Sequence, residues 1–358
     1  MLFNPNKILL LVLVLAIAMF TNVYAEGYKS ATITFGGDVL LGGYYNSPSY
    51  GSMVLLTNRI ERFLQHGGPE CVADSLFSNI RSDFRDVDFS VVNLEGPITP
   101  ELPQEDIEIR MEDKLIPVRQ HEKTPEILKA AGVDLVSLAN NHMFDYLYWT
   151  GLEYTIQLLK GKVDFVGAGF GEDAYKPAVK NINGINVSFF GISDILEPWD
   201  MFAYDRKLGI AGIPDTANYS TNIQMNMLLE NIREAEMTSD FTVVILHAGP
   251  ISGSELKERQ LEIVDILLES GVDIVAGSHS HYTQPVKEIR NEHNHLQQIA
   301  FYGLGNLVFG GRQSFQAESM ITTVTLHKPA IGEAHLEYLT KRISPNPDTT
   351  FTPVIISD

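Results

Sequence analysis

The sequence predicts an α/β fold with a largely parallel central sheet, and two patterns support this prediction. Short runs rich in β-branched and aromatic residues alternate with amphipathic stretches between residues 31 and 281, as strands alternate with crossover helices. From residue 285 onward strand-like runs predominate, which indicates a second sheet packed on the first. We find no internal repeat, low-complexity segment or linker, and therefore expect residues 26–358 to form a single domain with a β-rich C-terminal part.

The predicted elements follow one another in a regular order. Strands are expected at 31–35, 89–93, 135–139, 163–167, 186–191, 241–246 and 272–276, and then near 299–302, 321–326 and 335–342. Helices are expected at 70–85, 125–131, 152–159, 225–235 and 256–269. Residues 198–219 carry scattered proline, glycine and aromatic residues without a period, which predicts a long surface insertion near the strand ends.

The charge balance argues against one class of partner. The chain has 358 residues, of which 44% are hydrophobic, enough to bury a sizeable core. Its 26 basic and 45 acidic residues give a formal net charge of −19, which would repel the phosphates of nucleic acid. An acidic protein can still bind a polyanion when metal ions supply the positive charge. We therefore expect no nucleic-acid partner.

The N-terminus has the pattern of an export signal. The dipeptide Asn6-Lys7 precedes an apolar run from Ile8 to Phe20, and the small residue Ala25 offers a cleavage site. We predict that residues 1–25 are a signal peptide and that the protein is periplasmic or extracellular. An uncleaved N-terminal membrane anchor is the alternative. Cys71 is the only cysteine, so an intrachain disulfide is excluded.

Residue types that bind metals recur where the predicted strands end. The positions are Asp38, Glu95, Asn141, His142, His247, His279 and His281. The carboxyl ends of the strands in an open α/β sheet face a common crevice, so these side chains can converge. Carboxylate, amide and imidazole ligands without a thiolate suit Zn²⁺, Mn²⁺ or Fe²⁺. We therefore predict that the chain binds one or two divalent metal ions, whose identity the residues leave open.

Two pairs of histidines receive opposite interpretations. His279 and His281 are two residues apart, so in an extended segment both imidazoles would point to one side, towards one metal cluster. His293 and His295 lie in the polar stretch 291–295, which we interpret as a hairpin loop and not as a metal site.

Taken together, these residues resemble a known family. The motifs are Gly37-Asp38, Asn93-Leu94-Glu95, Ala139-Asn140-Asn141-His142 with Asp145, His247, Gly277-Ser278-His279-Ser280-His281 and Tyr302-Gly303-Leu304-Gly305-Asn306. Their order is similar to that in CapA-type proteins of poly-γ-glutamate or capsule synthesis, within the calcineurin-like metallophosphoesterase superfamily. The likeness extends from about Thr32 to Phe309. It implies a four-layer αββα sandwich, which agrees with the pattern of strands.

The resemblance also implies roles for the residues. The implied ligands are Asp38 and His281 for one metal and Asn141, His247 and His279 for the other, with Glu95 where the superfamily has a bridging aspartate. His142 would protonate a leaving group or contact the transferred phosphoryl oxygens. Asp145 would orient the ring of His142 by accepting its second ring hydrogen.

The sequence departs from the superfamily pattern at two further positions. Leu40 stands where superfamily hydrolases usually carry a histidine, and Met143 stands where they often place an acid. The departures leave Glu95, Asn141, His247 and His279 as the stronger set of ligands. The ligand set for the other metal position is weaker, so a protein that binds a single metal ion is an alternative to one that binds two.

Two functions that use metal remain open at this point, and a structural, metal-free protein is the third alternative. The first is an exported metal-dependent hydrolase or transferase that acts on a phosphoester or an anionic polymer. Such an enzyme would serve the synthesis, export or release of poly-γ-glutamate or capsule, with membrane-bound capsule proteins as partners. The second is a noncatalytic accessory subunit that binds a polyanion through metal in an export complex, which the absence of a histidine at Leu40 favours.

Overall fold

The computed structural model describes residues 27–44, 51–100, 117–195, 201–214, 222–251, 253–309, 318–344 and 352–357. The predicted signal peptide at 1–25 lies outside these residues, so its prediction stands untested. Within the described ranges, no helix is long and apolar enough to cross a membrane.

Strands and helices alternate along the first three quarters of the chain, as predicted. The strands are β1 (Lys29–Leu40), β2 (Gly42–Tyr44), β3 (Phe89–Leu94), β4 (Val118–Gln120), β5 (Leu135–Ser137), β6 (Asp164–Val166), β7 (Ala168–Phe170), β8 (Ala178–Ile182), β9 (Ile185–Ser193), β10 (Leu208–Ile210), β11 (Phe241–His247), β12 (Ile274–Ser278), β13 (Val286–Arg290), β14 (Leu296–Phe301), β15 (Asn306–Phe309), β16 (Ser319–Lys328), β17 (His335–Ser344) and β18 (Val354–Ser357). The helices are α1 (Gly51–Leu76), α2 (Arg81–Arg85), α3 (Thr124–Ala131), α4 (Tyr148–Leu159), α5 (Ile223–Thr238) and α6 (Glu258–Glu269).

One hydrogen-bonded sheet contains most of the described strands. Its main path runs β6-β5-β3-β1-β16-β17-β14-β12-β11-β9-β8. The strands β1, β3, β5 and β6 are parallel to one another, and so are β9, β11, β12 and β14. The antiparallel pair β16 and β17 joins these two parallel halves.

The sheet is folded so that its two halves pack face to face, which the buried apolar residues show directly. In β11, Val243 and Ile245 belong to a cluster that also contains Ile33 and Val91 from the other half. Their neighbour Val244 points the other way, into a cluster with α5 and α6. A third cluster packs α1, α3 and α4 on the outer face of β3 and β5. This arrangement confirms the predicted α/β class and its four αββα layers, because side chains alternate faces along each strand.

Several details of the sequence prediction were wrong. The C-terminal strands do not form a separate sheet but join both halves of one sheet. The helix predicted at 70–85 is two helices, α1 and α2, of which α1 begins at Gly51. The stretch 201–214, the described part of the predicted surface insertion, packs into the fold because Met201, Ile210 and Ile213 are buried and β10 pairs with β7. The sequence of this stretch shows neither helical nor strand periodicity. Its structure is set by pairing with a strand elsewhere in the chain, which the local sequence does not show.

The first strand was expected at 31–35, but it continues to Leu40. A register irregularity between Phe35 and Asp38 lets the strand pass close to a neighbouring turn. A Cβ atom on Gly37 would lie 1.7 Å from the carbonyl oxygen of Gly305, so only glycine fits there. The irregularity places Asp38 beside β3 and β15 at the carboxyl edge of the sheet.

A row of aspartates occupies the opposite edge. Each directly precedes one strand and accepts the backbone N–H near the start of a neighbouring strand. The pairs are Asp88 with Thr32 (2.8 Å), Asp134 with Ser90 (2.9 Å), Asp240 with Asn186 (2.9 Å) and Asp273 with Thr242 (2.7 Å). These bonds satisfy amides that the ladder leaves without a partner, and they help to set the register of the parallel strands.

The aspartate Asp273 makes stability depend on pH. Burial raises its pKa to about 8, and Glu236 adds to the shift while the bond from Thr242 opposes it. The carboxyl group of Asp273 binds its proton more tightly in the folded protein than in the unfolded chain, where its pKa is about 3.9. The free energy of unfolding therefore falls as the pH rises from about 4 to 8. We expect the difference in melting temperature between Asp273→Asn and the unmodified protein to grow in favour of Asp273→Asn as the pH rises from 5 to 8.

Asp265→Asn on α6 is the matched control for the loss of one negative charge, because that carboxylate is half-exposed. The measurement is a thermal melt of all three proteins across this pH range. A difference between Asp273→Asn and the unmodified protein that stays constant with pH would contradict the assignment.

Candidate metal centre

Two fully buried carboxylates lie side by side at the carboxyl ends of β1 and β3. The side-chain nitrogen of Asn93 donates to Asp38 Oδ1 (2.8 Å) and to Glu95 Oε2 (2.6 Å), so one amide bridges both groups. The oxygen of Asn93 accepts from the Asn140 amide at 3.3 Å, which fixes the orientation of the bridge. Burial raises the pKa of Asp38, whereas the charge of His281 and the bond from Asn93 lower it.

Imidazoles from the other half of the sheet face these carboxylates. His247, the last residue of β11, has its Nδ1 atom 2.9 Å from Ser278 Oγ. Its Nε2 atom lies 2.9 Å from Asn141 Oδ1 and 3.1 Å from Nδ1 of His279. The same Nε2 atom is 3.8 Å from Glu95 Oε1. Four side chains from four segments therefore converge around one point.

His281 reaches the site from its other side. Its Nδ1 atom lies 2.8 Å from Asn306 Oδ1 and 3.6 Å from Asp38 Oδ2. Asn306 begins β15 and pairs in parallel register with Asp38. The pairing of β15 with β1 therefore places the Asn306 side chain beside His281. The backbone N–H of His279 also donates to Asp38 Oδ2, at 3.3 Å.

A histidine and an aspartate form a dyad at the mouth of the site. His142 Nδ1 lies 2.5 Å from Asp145 Oδ2, which also accepts the backbone N–H of Val118 at 2.8 Å. The remaining ring nitrogen of His142 is 3.7 Å from Glu95 Oε1. The side chain of His142 is 14% exposed, whereas those of Glu95 and Asp145 are 1% exposed. His142 is therefore the member of this group that a substrate can reach from solvent.

The segment that carries His279 and His281 is strained. It was predicted to be extended, but both residues have a left-handed backbone, with φ angles of 88° and 58°. Such a conformation costs on the order of 1–3 kcal/mol for each residue that is not glycine and persists only where surrounding contacts hold it. The bend turns both rings to the same site, with centroids 6.4 Å apart. The predicted convergence therefore holds, although its predicted geometry was wrong.

The arrangement fits a divalent cation. Asp38, Glu95 and His247 each offer a ligand atom within 4.8 Å of the others, and all three are buried. Two buried carboxylates this close repel each other when ionised, so a cation between them would lower their free energy. Oxygen and imidazole ligands without a thiolate match borderline ions such as Zn²⁺, Mn²⁺ and Fe²⁺.

The structure brings together the predicted ligands and the predicted dyad, which are Asp38, Glu95, Asn141, His142, Asp145, His247, His279 and His281. Their roles as ligands or acid remain predictions. The sequence analysis missed the supporting polar residues Asn93, Ser278 and Asn306. Each occurs within a motif already recognised, at or beside the end of a strand, so the signal that selected Asp38 could have selected them too.

Comparison with known proteins places the chain in a family. The family described as bacterial capsule synthesis protein PGA_cap matches residues 32–311, which is most of the sequence. The chain belongs to this family. The match begins in β1 and includes all the residues of the candidate metal centre.

Named relatives of this PGA_cap protein come from bacteria. It is 25% identical over 320 residues to the PGA biosynthesis protein CapA of Bacillus subtilis, covering 88% of this chain and 76% of that one. It is 27% identical over 333 residues to the capsule biosynthesis protein CapA of Bacillus anthracis, covering 90% and 70%. A probable polyglutamine synthesis accessory protein of Mycobacterium tuberculosis is 26% identical over 272 residues, covering 72% and 66%.

Two solved structures show a weaker likeness. A putative 5'-nucleotidase of Staphylococcus aureus, solved in complex with alpha-ketoglutarate, aligns with a TM-score of 0.39 and 11% identity, covering 86% of this chain and only 54% of that one. The protein TT1561 of Thermus thermophilus aligns with a TM-score of 0.39 and 9% identity, covering 81% and 93%. Both are too distant to bear on function.

The Asn93 bridge yields a testable prediction. Removing its amide in Asn93→Ala leaves two buried carboxylates without their shared donor. This should lower the free energy of unfolding by about 1–3 kcal/mol in the presence of a chelator. Added Mn²⁺ should restore more stability to the variant than to the unmodified protein, because the cation would take over the role of the amide. Chemical denaturation with and without Mn²⁺ measures both effects.

Asn222→Ala is the matched control, because it removes a buried asparagine that caps α5 by accepting the N–H of Met225 (2.9 Å). Its loss of stability should not depend on Mn²⁺. The bridge would have no link to metal binding if Asn93→Ala behaved in the same way.

Proposed function

We propose that this PGA_cap protein is an exported metal-dependent hydrolase or transferase that acts in the synthesis, export or release of poly-γ-glutamate or a related capsule polymer. One observation carries the proposal. Buried carboxylates from one half of the sheet meet imidazoles from the other half, beside a histidine dyad open to solvent. The names of the Bacillus relatives support the choice of polymer. The predicted signal peptide supports export.

The residues that would hold metal fall into two groups. Asp38 and His281 would serve one ion, with Asn306 fixing the imidazole. The other ion would be held by Asn141, His247 and His279, with Glu95 shared between the two positions. When bound, a divalent ion supplies positive charge that polarises an anionic oxygen of the substrate and neutralises charge developing in the transition state.

The dyad supplies the proton chemistry that we propose. The contact between His142 and Asp145 holds the imidazole in one orientation and one tautomer, with its second nitrogen directed towards the site. In its imidazolium form, with Nδ1–H directed at Asp145, His142 can donate the Nε2 proton to a departing oxygen or nitrogen of the substrate and is left neutral. Such transfers typically accelerate a reaction about 10²–10⁴-fold. The partly exposed ring also marks the side from which a polymer chain would enter.

An anionic substrate is consistent with a strongly acidic protein only if cations mediate the contact. The net charge of −19 would otherwise repel poly-γ-glutamate or a phosphoester. The proposal therefore expects metal and substrate to bind together. Membrane-bound capsule synthesis or export proteins are the partners that we propose.

The test combines elemental analysis with a substrate screen on one preparation. The purified mature protein should contain Mn, Zn or Fe and should turn over an activated phosphoester or poly-γ-glutamate. His142→Ala should keep the metal and lose about 10²-fold or more in turnover, because only the proton donor is removed. His279→Ala should lose metal as well. His66→Ala, which removes an exposed histidine on α1, should change neither. Metal-loaded protein that turned over none of a broad panel of phosphoesters and polyglutamates would overturn the catalytic proposal.

One observation favours the noncatalytic alternative. Leu40 is fully buried in a small cluster with Val118 and Phe309, so the position where superfamily hydrolases carry a ligand contributes only packing. A metal-assisted accessory subunit would bind poly-γ-glutamate without turnover. That binding should vanish with a chelator and in His279→Ala, while His66→Ala keeps it. Equilibrium binding to fluorescent polymer separates this outcome from catalysis.

A further inference from the structure

A second group of histidines gathers far from the candidate metal centre. The group comprises His293, His295, His327 and His335, which we call the edge histidines. His335 stacks on His327 with ring centroids 4.7 Å apart and on His295 with centroids 5.0 Å apart. His293 follows at 6.3 Å from His295. Four of the ten histidines of the chain thus form one continuous row.

Strand pairing brings these residues together. His327 and His335 are directly opposite each other on the antiparallel strands β16 and β17. Glu337 lies two residues after His335 and therefore points to the same face of the sheet. His293 and His295 belong to the turn between β13 and β14, which confirms the predicted hairpin loop. The sequence alone favoured no metal site there, because it does not show that His327 and His335 lie beside this loop. Three of the edge histidines, His293, His295 and His335, line a cleft of about 420 Å³ together with Tyr28 and Glu333.

One buried ring nitrogen in this row faces a carboxylate. The Nε2 atom of His327 is buried and makes no hydrogen bond within the described ranges. Glu337 Oε2 lies 3.4 Å from it, which is longer than an ordinary N–H···O bond. The other ring nitrogen of His327 contacts the hydroxyl of Tyr28, which can hold the ring in place. Burial lowers the pKa of His327, with His335 adding to the effect and Glu337 opposing it, so the ring favours its neutral, metal-binding form.

We propose that His327, His335 and Glu337, completed by His295, form a second site that binds a borderline divalent cation such as Zn²⁺. Bonds of about 2.0–2.1 Å from Zn²⁺ to imidazole nitrogen put the centroids of two rings on one tetrahedral ion roughly 5 Å apart. The two centroid distances at His335 match this spacing. Imidazole and carboxylate are ligands that Zn²⁺ takes together.

The site closes around the ion by rotation of side chains. In the structure the ligand atoms of the edge histidines do not come as close together as those of Asp38, Glu95 and His247, among the residues that are described. The rings of His327 and His335 are nearly parallel, with an angle of 17° between them. The Glu337 side chain is 72% exposed and can swing without disturbing the core. His335 is half-buried and can turn about its side-chain bonds.

The proposed site is separate from the candidate metal centre. His327 pairs with Ser30 at the start of β1, whereas Asp38 lies eight residues further along the same strand. At about 3.3 Å per residue the two sites are about 25 Å apart, at opposite edges of the sheet. Loss of one site therefore leaves the ligands of the other intact, and the outcome does not depend on whether the protein is an enzyme.

The test is a zinc titration of the full-length mature protein by calorimetry after chelator treatment, with elemental analysis after buffer exchange. His335→Ala and Glu337→Gln remove proposed ligands that are not part of the buried core. Each should reduce bound zinc by about one equivalent per chain or weaken that equivalent at least tenfold. His66→Ala, which removes an exposed histidine elsewhere, should bind zinc as the unmodified protein does.

Two further measurements keep the outcome decisive. Melting temperatures without metal must agree among the variants, and only the unmodified protein and His66→Ala should gain the stabilisation that zinc binding at this site adds. The proposal is overturned if both ligand variants bind zinc with unchanged number and affinity. It is also overturned if His66→Ala loses as much zinc as they do, because binding would then be a property of any surface histidine.

Discussion

The architecture depends on burying two carboxylates side by side. Asp38 and Glu95 lie at the ends of neighbouring parallel strands, with no exposed surface. Water cannot solvate them there, so protein groups must. The amide of Asn93 donates to one oxygen of each, which leaves the other two oxygens facing the imidazoles of His247, His142 and His281. The fold must hold two halves of a sheet in register to keep this arrangement.

Carboxylates at the amino and carboxyl ends of the strands obtain their hydrogen-bond partners in different ways. At the amino edge, each aspartate accepts a backbone N–H from the adjacent strand, so its oxygen is satisfied within the ladder. At the carboxyl edge the carboxylates meet mainly side chains, although the backbone N–H of His279 also donates to Asp38 Oδ2. Those side chains come from several segments and can rearrange around a ligand. The amino edge therefore helps to set the register of the strands, while the carboxyl edge carries the candidate metal centre.

Family membership and local geometry contribute different parts of the functional argument. Membership in the PGA_cap family names a biological setting, because its relatives are named for capsule and PGA biosynthesis. The geometry supplies the chemistry, because a solvent-accessible histidine oriented by an aspartate stands beside a buried set of potential ligands. Leu40 does not fit the catalytic hypothesis, because it packs against Val118 and Phe309 at the position where the resemblance to superfamily hydrolases would lead us to expect a metal ligand. Catalysis and metal-assisted binding are therefore distinct hypotheses about one site.

The sequence by itself determined the α/β class, the order of most elements and the set of polar residues that converge at the strand ends. These follow from local rules, because buried strands have apolar runs and the ends of parallel strands share one edge. Tertiary structure alone decided that the C-terminal strands join both halves of one sheet, that His279 and His281 adopt a left-handed bend, and that His327 and His335 meet His295. Each of these depends on partners far apart in sequence, which periodicity cannot reveal. The candidate metal ligands were thus visible in the sequence, while the bend that directs His279 and His281 towards the site and the second row of histidines were not.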